Sequence, residues 1–252
     1  MPEQAWRSLA RELDRWEALG RACRLWWRDD DATEVTPQLR RLVDLSRAAA
    51  APLLLSVVPS PTAAGIFPLI AGAPIGVAQH GVDHHNRLRL PRHAQFRARE
   101  PAAWVAGELL RAAADLRGRP RVLPIYVAPW NRLSANLLEA LPVAGFEAVS
   151  AFGGPLRAYR GLVRIDTHVD LFRWAPVPAF RGVVLCLLSL RLALRRRRLA
   201  RTWSEPVGLL THHLRLDAEA SRFLETLLPR LSAAPAVSFL RPEELPGLTP
   251  PT

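Results

Sequence analysis

The stretch LWWRDDDAT, Leu25 to Thr33, closes a short apolar run on three consecutive acids, Asp29, Asp30 and Asp31. Neighbouring carboxylates repel one another, and none belongs in a core unless it is paired or bound to a cation. Two readings are open at this point. The acids could form a polar turn that caps the next helix, or they could end a buried strand where something positive sits. What surrounds the stretch has to separate these.

Working outward, short apolar runs alternate with helical periodicity along the chain. Strands are predicted at roughly 24–30, 52–58, 75–80, 122–128, 146–152, 162–171, 207–212 and 236–241. Helical patterns lie between most of them. TPQLRRLVDLSRAAA opens with Thr36 as a cap and Pro37 at the first helical position. PAAWVAGELLRAAADLRG, LSANLLEALPVAG and DAEASRFLETLLPRL follow the same period. The alternation predicts a single α/β domain over residues 1–252, with parallel strands forming a barrel or an open sheet. No glycine-rich dinucleotide or phosphate-loop fingerprint follows any strand, which counts against a nucleotide-binding open sheet. Residues 1–21 read as an amphipathic N-terminal helix, and the Pro-rich 246–252, PGLTPPT, as a frayed tail.

With 252 residues and 49% hydrophobic content, the chain can bury a sizeable core. A net charge of +11 and an isoelectric point near 11.3 would ordinarily point to nucleic acid or an anionic membrane. That signal is weakened by composition: there is no lysine, and every basic residue is Arg amid abundant Ala, Leu and Pro. The dense run Arg195 to Arg198 follows VVLCLLSLRLAL and reads as a solvated helix end, with a phosphate or nucleic-acid patch as the alternative. Cys23 and Cys186 lie far apart in apolar surroundings, which suits buried thiols in a reducing compartment. The N-terminus has no apolar signal core, and the longest apolar run is interrupted by Arg191 and too short to span a bilayer. A soluble, cytoplasmic protein without a membrane span is expected.

In a parallel barrel the chemistry sits where strands end at their C-terminal edges. DDD ends the first predicted strand, QHGVDHHN the third, APWN the fourth and THH the seventh, while THVD lies in the sixth. Five segments thus bring His, Asp, Trp or Asn to one rim. His80 and His84 are four apart, a spacing that on a helical turn puts both imidazoles on one face to share a divalent ion. A first-strand Asp would be a third ligand and leave a position open for water, as in catalytic metal centres. The opening acids then surround a cation.

In order and spacing these residues resemble the motifs of the polysaccharide deacetylase (NodB-homology) superfamily, the family 4 carbohydrate esterases. RDDDA resembles the first motif, Thr-Phe-Asp-Asp-Gly, with Ala32 in place of Gly. The resemblance implies Asp30 as general base and Asp31 as metal ligand; a shift by one residue would assign those roles to Asp29 and Asp30. His80-Gly81-Val82-Asp83-His84 matches the second motif and implies His80 and His84 as the other ligands. VAPW keeps Pro129 and Trp130 of the third motif but has Val127 where the family has the Arg that orients the base, a loss for which Arg28 could compensate. DTHVDLFRW loosely matches the fourth motif, offering Asp166, His168, Asp170 and Trp174. Leu209-Leu210-Thr211-His212 matches the fifth and implies His212 as the acid that protonates the leaving amine, with His213 as rival.

The resemblance covers about residues 22 to 245. It implies a deformed (β/α) barrel of seven or eight mostly parallel strands and a metal-dependent hydrolysis of an N-acetyl amide. The implied ion is divalent, zinc first, with cobalt, nickel or manganese as alternatives. The implied substrate-binding residues are Arg28, Pro129, Trp130, Asn131, His168 and Trp174, with a backbone N–H near Trp130 receiving the oxyanion and a saccharide or other small molecule as substrate. Two alternatives remain: hydrolysis of another linear C–N bond on the same fold, and a non-catalytic basic nucleic-acid-binding module. The latter needs Arg and aromatic residues along one groove, whereas here His and Asp gather at strand ends.

Overall fold

A computed structural model of the chain describes residues 2–88 and 93–250. Its elements run α1 (Pro2–Glu17), β1 (Cys23–Ala32), α2 (Pro37–Ala48), β2 (Leu53–Val57), α3 (Ile66–Ile70), β3 (Ile75–His80), α4 (Ala102–Ala112), β4 (Val122–Val127), α5 (Ala135–Val143) and β5 (Ala148–Ser150). Then come β6 (Arg157–Tyr159), β7 (Leu162–Arg164), β8 (Val169–Asp170), β9 (Phe172–Arg173), β10 (Ala179–Phe180), α6 (Val183–Ala200), β11 (Val207–Thr211), α7 (Ala218–Ser232) and β12 (Val237–Phe239). Every strand expected from the sequence is present. The unexpected ones, β6, β9 and β10, are short and antiparallel; β6 is exposed at all three positions, so it carries no alternation to read.

The hydrogen-bonded order is β6-β7-β5-β4-β3-β2-β1-β11-β8. Its two ends are one piece of chain. Residues 162–170 run extended, pairing first with β5 (Ile165 N to Val149 O, 2.9 Å; Thr167 N to Ala151 O, 3.1 Å) and then with β11 (His168 N to Gly208 O, 2.7 Å). A sheet whose two edges belong to one strand is a closed barrel, here of seven strands, with β12 pairing beside the first residues of β1. Closure requires Gly208: a Cβ there would lie 2.6 Å from the Trp26 indole nitrogen and 2.8 Å from the Thr167 backbone.

Strand alternation sorts the core into two layers. Trp26, Leu54, Ala78, Ile125, Val127, Ala148 and Ile165 form the barrel interior. Leu25, Trp27, Leu53, Leu55, Val77 and Leu209 face the helices outside. Leu240, Leu245 and Leu248 join the interior cluster. This corrects the expected frayed tail: Leu248 is buried, and only 251–252 of that segment lie outside the described residues. Helix α2 starts as the sequence indicates, with the Leu39 N–H donating to Thr36 Oγ1 at 3.1 Å, a cap worth about 1 kcal/mol.

The expectation for the arginine run holds for half of it. Arg195 and Arg196 are exposed, but Arg198 donates to Glu12 of α1 at 2.6 and 3.1 Å, and Arg197 is buried against Glu205 and His168. Both cysteines are free and buried, and burial pushes each thiol up to about 12. Among the described residues, no helix is long and apolar enough to cross a membrane.

Candidate metal centre and active site

The first strand separates its three acids by direction. Along β1, alternation places Trp26, Arg28 and Asp30 inward and Trp27 and Asp29 outward. Asp29 accepts from Thr211 Oγ1 at 2.6 Å and pairs with His213 Nδ1 at 2.6 Å, all three fully buried on the outer layer. The register with β2 then slips: Asp29 pairs with Leu55 but Ala32 with Val57, so Asp30 and Asp31 together stand opposite Ser56. This is a β-bulge, with Asp31 at φ 71°, and a bulge re-aims consecutive side chains that a regular strand would send to opposite faces. Asp30 turns into the barrel and Asp31 toward the mouth.

At the mouth, His80 Nε2 lies 3.2 Å and His84 Nε2 3.3 Å from the same oxygen, Asp31 Oδ1. Their ligand atoms all fall within 4.8 Å of one another. His80 Nδ1 is 3.2 Å from the Val127 carbonyl; donation to that carbonyl leaves Nε2 as the free lone pair, the usual arrangement behind a metal-binding histidine. Two imidazole nitrogens converging on one carboxylate oxygen, with that tautomer enforced from behind, fit a divalent ion. Burial pushes the Asp31 carboxyl up, but His80, His212 and His84 outweigh it and hold the group well below the usual carboxylate range. Asp31 is therefore in the anionic form that ligation needs.

The route to this geometry differs from the sequence expectation. His80 ends β3, and residues 81–84 form a loop, with Gly81 at φ 67° and His84 at φ 55°; the helical turn predicted from the four-residue spacing is absent. At Gly81 any Cβ would meet Gln95 Oε1 and lie 2.6 Å from Pro129 Cγ, so the loop folds tightly only with glycine. The Trp130 ring packs 4.5 Å from His84 and 5.6 Å from His93, bracing His84 from the β4 side. Pro129 is buried beneath it.

Arg28 corrects the sequence assignment most plainly. It is fully buried and spans the barrel interior rather than facing a substrate. Its Nη2 donates to Asp30 Oδ2 at 2.9 Å and to Asn131 Oδ1 at 2.8 Å, its Nη1 donates to Ser150 Oγ at 2.6 Å and to the Ala151 carbonyl at 3.1 Å, and its Nε lies 2.9 Å from Asp30 Oδ1. Both Nη atoms are committed to protein acceptors, and Nε faces Asp30 in an ion pair without a hydrogen bond, so the guanidinium is turned to the barrel interior. Burial acts to raise Asp30, and Arg28, followed by His80 and His212, overrides it, so the net shift is downward. Asn131, also expected at the substrate, is tied to this guanidinium.

His168 is a second correction. Its Nδ1 accepts from the Gly208 N–H at 3.2 Å, its Nε2 lies 3.2 Å from the Gly154 carbonyl, and Arg197 Nη2 is 2.8 Å away. Gly208 is the second residue of β11, three residues and about 10 Å of strand before Thr211. Burial first, then Arg197, pushes its imidazole down to about 4, and Asp166 is likewise taken by Arg164 and the Ala151 N–H.

On the far side of the mouth, His212 is buried with its Nδ1 unpartnered. Trp174 meets it edge-on at 4.6 Å and Phe172 at 6.1 Å. The Trp174 indole N–H donates to Asp170 Oδ2 at 2.8 Å, while the ring stays 45% exposed at the mouth. Burial raises the Asp170 carboxyl against the opposing pull of His212. Asp30 Oδ1 and Ser56 Oγ are also buried without a hydrogen bond. Orphaned polar atoms are rare in folded proteins; His212 Nδ1 and Ser56 Oγ are two of them, and Asp30 Oδ1 has only its ion-pair contact with Arg28 Nε. Ser56, Ser150 and Phe172 were not foreseen; each acquires its position from a partner strand, so the local sequence carries no signal for them.

The outward pair supports a prediction about stability. Burial lowers the His213 imidazole, but Asp29 overrides it and lifts the group above its ordinary 6.5. A raised folded value gives stability that is complete below the unfolded value and is lost as pH rises through the folded one. Asp29→Asn should therefore lower the melting temperature most below pH 6.5, the ordinary value, with the difference from the unmodified protein shrinking as pH rises. Breaking a fully buried pair costs on the order of 3–5 kcal/mol. Thermal melts of both proteins across the pH range check this; a pH-independent difference would refute it.

No protein-family model matches the sequence, and no curated protein matches it. Solved structures do. A Mycobacterium smegmatis protein named as a polysaccharide deacetylase superposes with a TM-score of 0.62 at 15% identity, over 92% of this chain and 94% of that one. A family 4 acetyl xylan esterase from Clostridium thermocellum, in complex with a cobalt ion, gives 0.52 at 13% over 88% and 89%. The 4-alpha-glucanotransferase from Thermococcus litoralis gives 0.57 at 8%, over 91% of this chain and 41% of that one. The chain thus has the α/β fold of these enzymes, and because one of them has different chemistry, the site residues must carry the functional argument.

Proposed function

We propose that the chain is a metal-dependent hydrolase that removes an acetyl group from the nitrogen of an N-acetylated sugar. The observation that carries this reading is the convergence of Asp31, His80 and His84 on one point, flanked by a carboxylate clamped to arginine on one side and an unpartnered buried imidazole on the other. A divalent ion held by those three residues, zinc before cobalt, nickel or manganese, would polarise the amide carbonyl and make water acidic enough to react near neutral pH.

Every other step belongs to this chain's own side chains. Asp30 takes a proton from the attacking water through Oδ1, the oxygen without a hydrogen bond. Arg28 keeps that carboxylate anionic and fixed in direction, replacing the arginine that the related motif would place at Val127. His212 gives a proton to the departing amine. Trp174, pinned through Asp170, sets the His212 ring and offers its exposed face to a sugar ring. Trp130 plays the same part opposite, over His84. The cobalt-complexed structural neighbour is an acetyl xylan esterase by name, and the present reading puts the scissile bond on nitrogen because His212 is placed to protonate a poor leaving group.

Metal analysis tests the reading directly. Purified protein should hold roughly one divalent ion per chain, lose it to chelator, and release acetate from N-acetylglucosamine oligomers only when loaded. His80→Ala and His84→Ala should each abolish the stoichiometry. Full metal content in both variants, or acetate release indifferent to chelator, would overturn the assignment.

A further inference from the structure

Helix α6 carries an outer face that the barrel does not use. Its inner residues Cys186, Leu187, Leu190 and Leu194 pack on the sheet. On the opposite side, Leu185, Leu192 and Leu199 are 53%, 53% and 62% exposed. They are spaced by seven residues, which on a helix repeats one direction every two turns. Helical geometry sets the exposed Arg196 among these leucines and the exposed Arg195 along one flank, while Arg191, half-buried with its Nε enclosed, lies at the edge of the face. The side chains of Arg191, Arg195 and Arg196 make no hydrogen bond or ion pair among the described residues, whereas Arg197 and Arg198 on the inner side are paired. The helix contains no acidic residue at all.

We propose that this face docks α6 lengthwise on an anionic lipid bilayer surface. A stripe of exposed leucines flanked by unpaired cations is what an interfacial helix presents: leucines enter the headgroup boundary while arginine stems lie along it and their heads meet phosphate. The charge arrangement disfavours a second copy of the chain. A symmetric contact would set Arg195 and Arg196 against the same two residues with no acid from either copy of α6 to offset them. Nucleic acid is a poor match because the centre of the face is leucine, which has nothing to gain from a phosphate backbone. The helix is too short and too charged to span, so the contact is peripheral. It also makes sense of an arginine run that the mouth of the barrel does not absorb.

Flotation of the purified chain with vesicles tests this. Binding should be strong to vesicles of equal phosphatidylglycerol and phosphatidylcholine, weak to phosphatidylcholine alone, and should fall as salt rises. Arg195→Gln with Arg196→Gln should weaken binding roughly 5-fold per charge removed. Leu185→Ser with Leu192→Ser and Leu199→Ser should weaken it by more than about 10-fold at unchanged charge. All five residues are exposed, so circular dichroism and melting should match the parent. Absence of binding, binding that ignores lipid charge, or an undiminished leucine variant would overturn the proposal. So would sedimentation as a dimer that the leucine variant converts to monomer, or tighter capture by a nucleic-acid duplex than by the charged vesicles.

Discussion

Asp30→Asn will leave the metal in place and slow deacetylation by about 10²–10⁴-fold, the usual worth of a positioned general base. Asp31→Asn will instead lose the metal together with the activity. The two carboxylates are sequence neighbours, yet the bulge gives them different partners: Asp31 shares one oxygen between His80 and His84, while Asp30 sits against Arg28. Metal content and kcat measured on both variants separate the roles. Retained metal in Asp31→Asn with loss in Asp30→Asn would move each role one residue toward the N-terminus. The buried Asp29–His213 contact on the outer layer argues against that shift. The same experiment has a pH arm. Because Asp30 is held below its ordinary 3.8 by Arg28 against the effect of burial, it stays anionic as pH falls, and the acid limb of kcat/KM should lie low. In Arg28→Met burial is no longer opposed by that guanidinium, so the limb should move to higher pH, and Arg28→Lys should restore it in part. An unmoved limb would show that Arg28 only fills space.

His212→Ala is the second large effect: amide cleavage should slow by roughly 10²–10⁴-fold while fold and metal content persist. An aryl acetate leaves as a weak base and needs little help from an acid, so its hydrolysis should suffer far less in the same variant. The contrast between the two substrates distinguishes a proton donor from a residue that only packs. His212 does pack, against Trp174 and Phe172, but its Nδ1 is buried without a partner, an arrangement that costs stability unless substrate completes it. Equal losses on amide and ester would remove the acid role. A larger defect in His213→Ala at unchanged stability would transfer it, although His213 is committed to Asp29 on the outer layer.

Much of this architecture is written locally. Short apolar runs and breakers locate the central strands because β2, β3 and β11 are buried on both faces and bounded by polar residues, and Thr36 and Pro37 start α2 by satisfying or lacking the N–H groups at its first turn. The residue types of the centre are legible too, since acids and histidines at the ends of apolar runs must find a counter-charge. A four-residue spacing of histidines, however, reads as a helical turn when a loop with two left-handed residues yields the same convergence.

The sequence by itself determined the strand and helix order and brought His80, His84 and the acids Asp29–Asp31 to strand ends, leaving open which acid would join the two histidines. Only the tertiary structure decided what each neighbouring acid does. Direction along a strand alternates until a bulge breaks it, and whether one forms depends on the register with β2, a pairing between segments more than twenty residues apart. Arg28 could be read as a stand-in for the missing arginine beside Asp30, two residues on along the same strand, but not as the partner of Ser150 and Asn131, because those contacts cross the inside of a barrel and join residues up to 122 positions apart. His168 illustrates the converse: a histidine beside the right motif is drawn to Arg197 and the Gly208 N–H, since barrel closure fixes where residues 162–170 must lie before any side chain can choose its company.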